Sequence, residues 1–115
     1  MSLDVYLQET QPVEIYWCNI THNLGKMADN VLVSEEPLLT LYDVLWRPDE
    51  HDFVYASDIS EHLDVGLNVL LSDPHHYRTF TPQNGWGDYE GLVKFVHDYR
   101  NACWNNPNSE IRVSR

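Results

Sequence analysis

The chain has 115 residues, 43% of them hydrophobic, and a formal charge of −11 from 18 acids against seven Lys and Arg. That length is one ordinary domain, and that apolar share builds a real core, which excludes an intrinsically disordered chain. Two cysteines, Cys18 and Cys103, cannot form a disulfide scaffold, and no apolar stretch is long enough to span a membrane.

Residues 2–7 alternate, with Leu3, Val5 and Leu7 on one side and Asp4 and Tyr6 on the other. This is the period-two pattern of a half-buried strand. Glu9 to Pro12 is a polar connection, and residues 13–18 alternate again, with Val13, Ile15 and Trp17 predicted inward. Two such runs joined by about four residues predict an antiparallel hairpin. A first helix then starts near Thr21, capped by Asn19 or Thr21, with Ile20, Leu24, Met27, Ala28 and Val31 as its apolar stripe.

Val31 to Pro37 is predicted to be a loop. Leu38, Leu41, Tyr42, Leu45 and Trp46 predict a short helix, which must end at Arg47 because Pro48 pushes the preceding residue out of helical geometry. Phe53 to Tyr55 is a brief extended piece. Ser57 or Asp58 caps a second full helix, with Ile59, Leu63, Gly66, Leu67, Leu70 and Leu71 inward and a stop at Pro74. His75 to Pro82 reads as a loop. The last helix opens at Gly87 or Asp88 and turns Tyr89, Leu92, Val93, Val96, Tyr99 and Cys103 inward. Ile111 and Val113 mark a third strand. The predicted order is β-β-α-α-α-α-β, an α+β sandwich with a small three-stranded sheet and helices on one face. A sheet of three strands has two edges, and edge pairing invites a homodimer.

The charge is uneven. Residues 1–73 hold 14 acids and two bases, a balance of −12, while residues 74–115 hold four acids and five bases. An acidic front repels phosphates, which argues against direct nucleic-acid binding. It suits a basic protein partner or imitation of nucleic acid, and in the simplest case it only keeps the chain soluble. The chain opens on no charged segment followed by an apolar run, so a reducing compartment is expected, bacterial or viral cytoplasm, with no membrane association. Asn19-Ile20-Thr21 matches a glycosylation acceptor, and without a secretion signal it reads as chance.

Four segments carry a resemblance. Ser2-Leu3-Asp4-Val5-Tyr6-Leu7, Asn19 to Leu24 with Met27-Ala28, Leu41-Tyr42 with Leu45-Trp46-Arg47-Pro48, and Asn84 to Val93 are similar to those of a family of small uncharacterised proteins of bacteria and their phages. The terminal Val113-Ser114-Arg115 is similar too. The resemblance spans nearly the whole chain. It implies a single domain and a microbial setting, and no activity. Against it, Val31 to Leu39 looks like an acidic loop extension, suited to a partner contact.

The residues that can carry chemistry gather at element junctions, where loops carry function on a rigid frame. Asn19, Thr21, His22 and Asn23 crowd the first helix start. Trp46, Arg47, Trp86, Asp88 and Tyr89 lie at other element ends. Asp4 is within reach of His22, an imidazole that can take a proton or a metal. The helix that opens at Gly85 to Asp88 offers N–H groups to an anion, with Trp46 and Trp86 to stack on it and Arg47 to pair with it. Each residue also has a plain structural account: the Asn and Thr side chains cap, His22 makes one hydrogen bond, Trp86 closes the core, and Arg47 pairs with a nearby acid.

Six histidines, His22, His51, His62, His75, His76 and His97, form no metal-ligand spacing, and no motif calls for a cofactor. No nucleophile elbow or phosphate-cradling loop is present, so no catalytic residue is assigned. The leading expectation is a non-enzymatic module that binds a small polar or anionic, nucleotide-like ligand. Its pocket lies between the Thr21 and Gly87 helix starts and uses Asn19, Thr21, His22, Asn23, Arg47, Trp86, Asp88 and Tyr89. The alternative is an acidic protein-interaction module, a phage-encoded inhibitor of a host factor, with Glu35, Glu36, Asp49, Glu50 and Asp52 in its loops. A hydrolase built on His22 with Asp4 or Asp88 has no motif behind it.

Overall fold

The computed structural model describes residues 1–9 and 14–115. Strand β1 (Ser2–Gln8) is central in an antiparallel sheet of order β2-β1-β5, between β2 (Glu14–Thr21) and β5 (Glu110–Ser114). Its alternation is the one read from the sequence. Leu3, Val5 and Leu7 are fully buried, and their register partners Ile20, Cys18 and Tyr16 on β2, with Val113 and Ile111 on β5, complete one apolar face. Helices cover that face and the other is open, so the fold is α+β with a small three-stranded sheet.

Strand β2 departs from its predicted phase. Ile15 and Trp17 point outward and are 37% and 49% exposed, while Tyr16, Cys18 and Ile20 turn in. The cause is an irregularity opposite Leu7 and Gln8, which pair with Tyr16 and Glu14 and skip Ile15. One extra residue in a ladder exchanges the two faces. Val13 lies outside the described residues. The strand also runs on to Thr21 instead of ending at Cys18, and it carries Ile20 with it.

The first helix is correspondingly short. A 3-10 turn (His22–Leu24) leads into α1 (Gly25–Asp29), which buries Met27 and Ala28. The stretch predicted as a loop after Val31 is a second sheet: β3 (Leu32–Glu35) pairs antiparallel with β4 (Leu38–Thr40) around Glu36-Pro37. Val33 and Leu39 are buried while Leu32 and Leu38 are exposed, an alternation too short to stand out beside the acids. Leu38 therefore belongs to the strand, at 71% exposure, and not to the next helix.

Helix α2 (Leu41–Trp46) starts at a capping box. The Thr40 N–H donates to Asp43 Oδ2 at 2.9 Å, and the Asp43 N–H donates to Thr40 Oγ1 at 3.4 Å. The helix stops at Arg47 before Pro48, as predicted, and a 3-10 turn (Pro48–His51) follows. Helix α3 (Ala56–Ser72) opens earlier than predicted, and Leu71, predicted inward, is 52% exposed in its last turn. Asp58 sits inside its first turn and accepts from the N–H groups of Val54 and Tyr55 at 3.0 and 2.9 Å. The N–H groups of Ala56 and Ser57 donate to the Ser109 and Pro107 carbonyls at 2.8 and 2.9 Å, which ties this helix start to the segment entering β5.

The predicted loop from His75 contains α4 (Pro74–Arg78), one helical turn with Asp73 accepting from the His76 N–H and Tyr77 buried. Helix α5 (Tyr89–Asn105) is capped by Asp88, which accepts from the Gly91 N–H at 2.7 Å. Its inward face is the predicted one extended by Phe95 and Ala102, with Val93 half-buried. Helices α3 and α5 pack together over the sheet. At Gly66 a Cβ would lie 2.9 Å from Leu41 Cδ1 and 3.2 Å from Val33 Cγ1, so this glycine lets α3 approach α2 and the β3–β4 hairpin. The observed order is β-β-α-β-β-α-α-α-α-β, richer than predicted by one hairpin and one short helix.

Candidate functional site

The two polar turns that begin at Thr21 and Gly87 are neighbours. A Cβ at Gly87 would lie 2.8 Å from Thr21 Cγ2 and 2.9 Å from Leu24 Cγ. Space between the turns is therefore filled by the Thr21 methyl group and Leu24, and the open volume lies beside the contact. That hollow is about 470 Å³, lined by Met1, Ser2, Thr21, Asn23, Asn84 and Trp86.

Its floor is a chain of hydrogen bonds. The Asn84 amide donates to Asn23 Oδ1 at 3.2 Å, and the Asn23 amide donates to Thr21 Oγ1 at 2.9 Å. Thr21 Oγ1 also accepts from the Asn23 N–H at 3.3 Å, the cap of the 3-10 turn. Asn84 Oδ1 accepts from the Trp86 N–H at 2.9 Å, closing an Asx turn that aims the indole. Gly85 and Gly87, at φ of +79° and +102°, supply the left-handed backbone that this turn needs. Trp86 is 68% exposed and does not close the core.

Each amide retains one N–H and one lone pair beyond these bonds, and the Thr21 hydroxyl retains its proton. The hollow thus offers donors and acceptors at fixed positions beside a flat aromatic surface. No Lys or Arg is among its six lining residues.

The other candidates lie elsewhere. His22 lines a separate hollow of about 330 Å³ with Gly25, Lys26, Asp29 and Tyr42. Its ring meets Trp46 edge-on at 6.2 Å, and its Nε2 is buried without a hydrogen-bond partner among the described residues. Asn19 stands on the open sheet face across from Asp4, and among the described residues no hydrogen bond or ion pair joins Asp4 to His22. Trp46 is buried and stacked on Tyr42 at 5.2 Å. Arg47 pairs with Glu50 at 3.3 Å beyond the end of α2. Asp88 is occupied as the α5 cap. Tyr89 is buried and its hydroxyl donates to the Leu70 carbonyl at 2.6 Å, with the Arg78 guanidinium 4.8 Å from its ring centroid. Burial pushes the Tyr89 phenol above its ordinary range.

Of the eight predicted residues, Thr21, Asn23 and Trp86 come together. Asn84, Ser2 and Met1 complete their hollow and were not singled out from the sequence. The Asn84-Gly85 pair was the available signal, since Asn before Gly marks a turn whose side chain bonds its own backbone. Among the described residues, no three His, Cys, Asp or Glu side chains come close enough to hold a metal ion. No protein-family model, no curated protein and no solved structure matches this chain.

Proposed function

We propose that the protein is a non-enzymatic binding module that holds a small, flat, polar ligand, such as a nucleobase or aromatic carboxamide, over Thr21, Asn23, Asn84 and Trp86. The observation that carries this reading is the Asn84–Asn23–Thr21 hydrogen-bond chain lining one hollow with an exposed indole. Side chains held by one another present their remaining donors without further ordering cost, the usual basis of preorganised recognition. A large exposed indole gives any planar ring a stacking surface. The ligand is neutral rather than anionic, because Arg47, the expected charge partner, is engaged with Glu50 away from the hollow.

Titration with adenosine, cytidine and nicotinamide, followed by amide and indole NMR shifts, tests it. At least one probe should saturate and move the signals of Thr21, Asn23, Asn84 and Trp86. Trp86→Ala should weaken that binding about tenfold or more, the loss of one stacking contact. Saturable binding that ignores both Trp86→Ala and Asn84→Ala would overturn the reading, as would no saturable shift with any probe.

A second reading rests on a different observation. Glu35, Glu36 and Leu38 are exposed together at the β3–β4 turn. An acidic tip carrying one apolar side chain suits a basic protein groove, as in an inhibitor of a host factor. A partner captured from bacterial lysate at low salt, and lost both at high salt and with Glu35→Lys/Glu36→Lys, supports that reading.

A further inference from the structure

The two edges of the three-stranded sheet are treated differently. The β5 edge is covered: the Ile111 N–H donates to the Val54 carbonyl at 2.8 Å, and Tyr55 bridges to Glu110. Arg115 closes the far end, donating to the Trp46 carbonyl at 3.0 Å and to Asp49 at 2.7 and 3.0 Å. The β2 edge has no backbone partner beyond β1 among the described residues.

Hydrogen-bond alternation identifies its open groups. Ile111 turns its N–H away from β1, so its partner Leu7, and with it Val5 and Leu3, turn theirs toward β2. Tyr16, Cys18 and Ile20 are thereby engaged, and the N–H and C=O groups of Trp17 and Asn19 face outward. Residues 15–21 contain no Lys, Pro or acid, the devices by which edge strands usually resist pairing. Trp17, paired with Tyr6 and 49% exposed, adds an apolar side chain on the open face beside this edge.

We propose that the β2 edge pairs with the β2 edge of a second copy of this chain, antiparallel across a two-fold axis beside Trp17. Charge selects this occupant. Residues 15–25 carry no Asp, Glu, Lys or Arg, although residues 1–73 together balance at −12. Two copies of so acidic a chain repel over most of the front half and meet here without facing carboxylates. On the helical side of β2, Lys94 and Asp98 of α5 neutralise each other at 2.6 Å. A two-fold contact uses the same strand on both copies, and the covered β5 edge stops further growth, so the assembly closes at two.

Sedimentation from micromolar to near-millimolar protein, with hydrogen exchange at each concentration, tests the proposal. The mass should rise to twice that of one chain as concentration rises. The amides of Trp17 and Asn19 should slow in step, while those of β5 stay constant. Trp17→Lys sets two like charges beside the axis and should raise the dissociation constant about thirtyfold or more, the loss expected of a central interface residue. Asn19→Pro removes an outward N–H without touching the β1 ladder and should act likewise. A single-chain mass at every concentration overturns the proposal, and so does a dimer that survives both substitutions or leaves these amides fast. If Asn19→Pro fails to fold, Trp17→Lys, at an exposed side chain, still decides.

Discussion

Gly87 shows how much one missing side chain can hold. Its φ of +102° disfavours any L side chain, and its Cα faces Thr21 and Leu24 with no room for a methyl group. Gly85 has a similar backbone, φ +79°, but none of the described residues would crowd a Cβ there. Gly87→Ala should therefore cost about 2–4 kcal/mol, strain and overpacking together, against about 1–2 kcal/mol for Gly85→Ala, which adds only strain. Urea midpoints of the two variants measure the difference, and equal losses would mean that the Gly87 contact is slack. The sequence marks both glycines as turn residues. It cannot mark that one of them seats the α5 entry on the Thr21 turn, because that contact joins segments far apart in the chain.

At the scale of the element, local signals were legible where one effect acted alone. β1, α3 and α5 have long patterns of unbroken period, and each lies where its pattern indicates except at Leu71, which ends the α3 stripe facing solvent. The short elements escaped. β3 and β4 have only four and three residues, and the acids between them read as a loop. In β2, Ile15 and Trp17 are more apolar than Tyr16 and Cys18, so composition assigned the wrong face. The pairing irregularity opposite Leu7 and Gln8 decided it instead. Helix α2, only six residues long, has too few internal hydrogen bonds to stand alone, so its cap matters. Thr40→Ala should lower stability by about 1 kcal/mol, with Thr40→Ser close to wild type, both read from thermal unfolding. A neutral Thr40→Ala would assign the hold on α2 to the burial of Leu41, Val44, Leu45 and Trp46 alone.

Over the whole molecule, paired surface acids and buried weak acids set opposite limits on pH. Arg115 holds the Asp49 carboxyl below its ordinary range, Arg78 does so for Glu90, and Lys94 with His97 does so for Asp98. Depressed carboxylates add stability above about pH 4, their unfolded range, and that stability is lost as pH falls through their folded values. Burial pushes the Cys103 thiol up to about 12 and the Tyr16 and Tyr99 phenols up as well. Raised acids work the other way: their contribution is complete below the unfolded thiol range of about 8.5 and drains away as pH rises. The urea midpoint should be flat between about pH 5 and 8 and fall on both sides. Cys103→Ala should soften the alkaline fall, and an unchanged alkaline limb would remove Cys103 as its source.

The sequence by itself determined the α+β class, the inward residues of the long elements save Leu71, and the polar character of the turns, since these depend on neighbours a few positions apart. Tertiary structure alone decided the rest. It set a first strand between one neighbour in the chain and one from the far end, and it joined Asn23 to Asn84 across 61 positions. It also tied Arg47 to Glu50, Asp88 to the α5 cap and Tyr89 to the Leu70 carbonyl. Side-chain periodicity reports which way a residue faces within its own element. Which elements then meet depends on packing and pairing between distant segments, which no local pattern encodes.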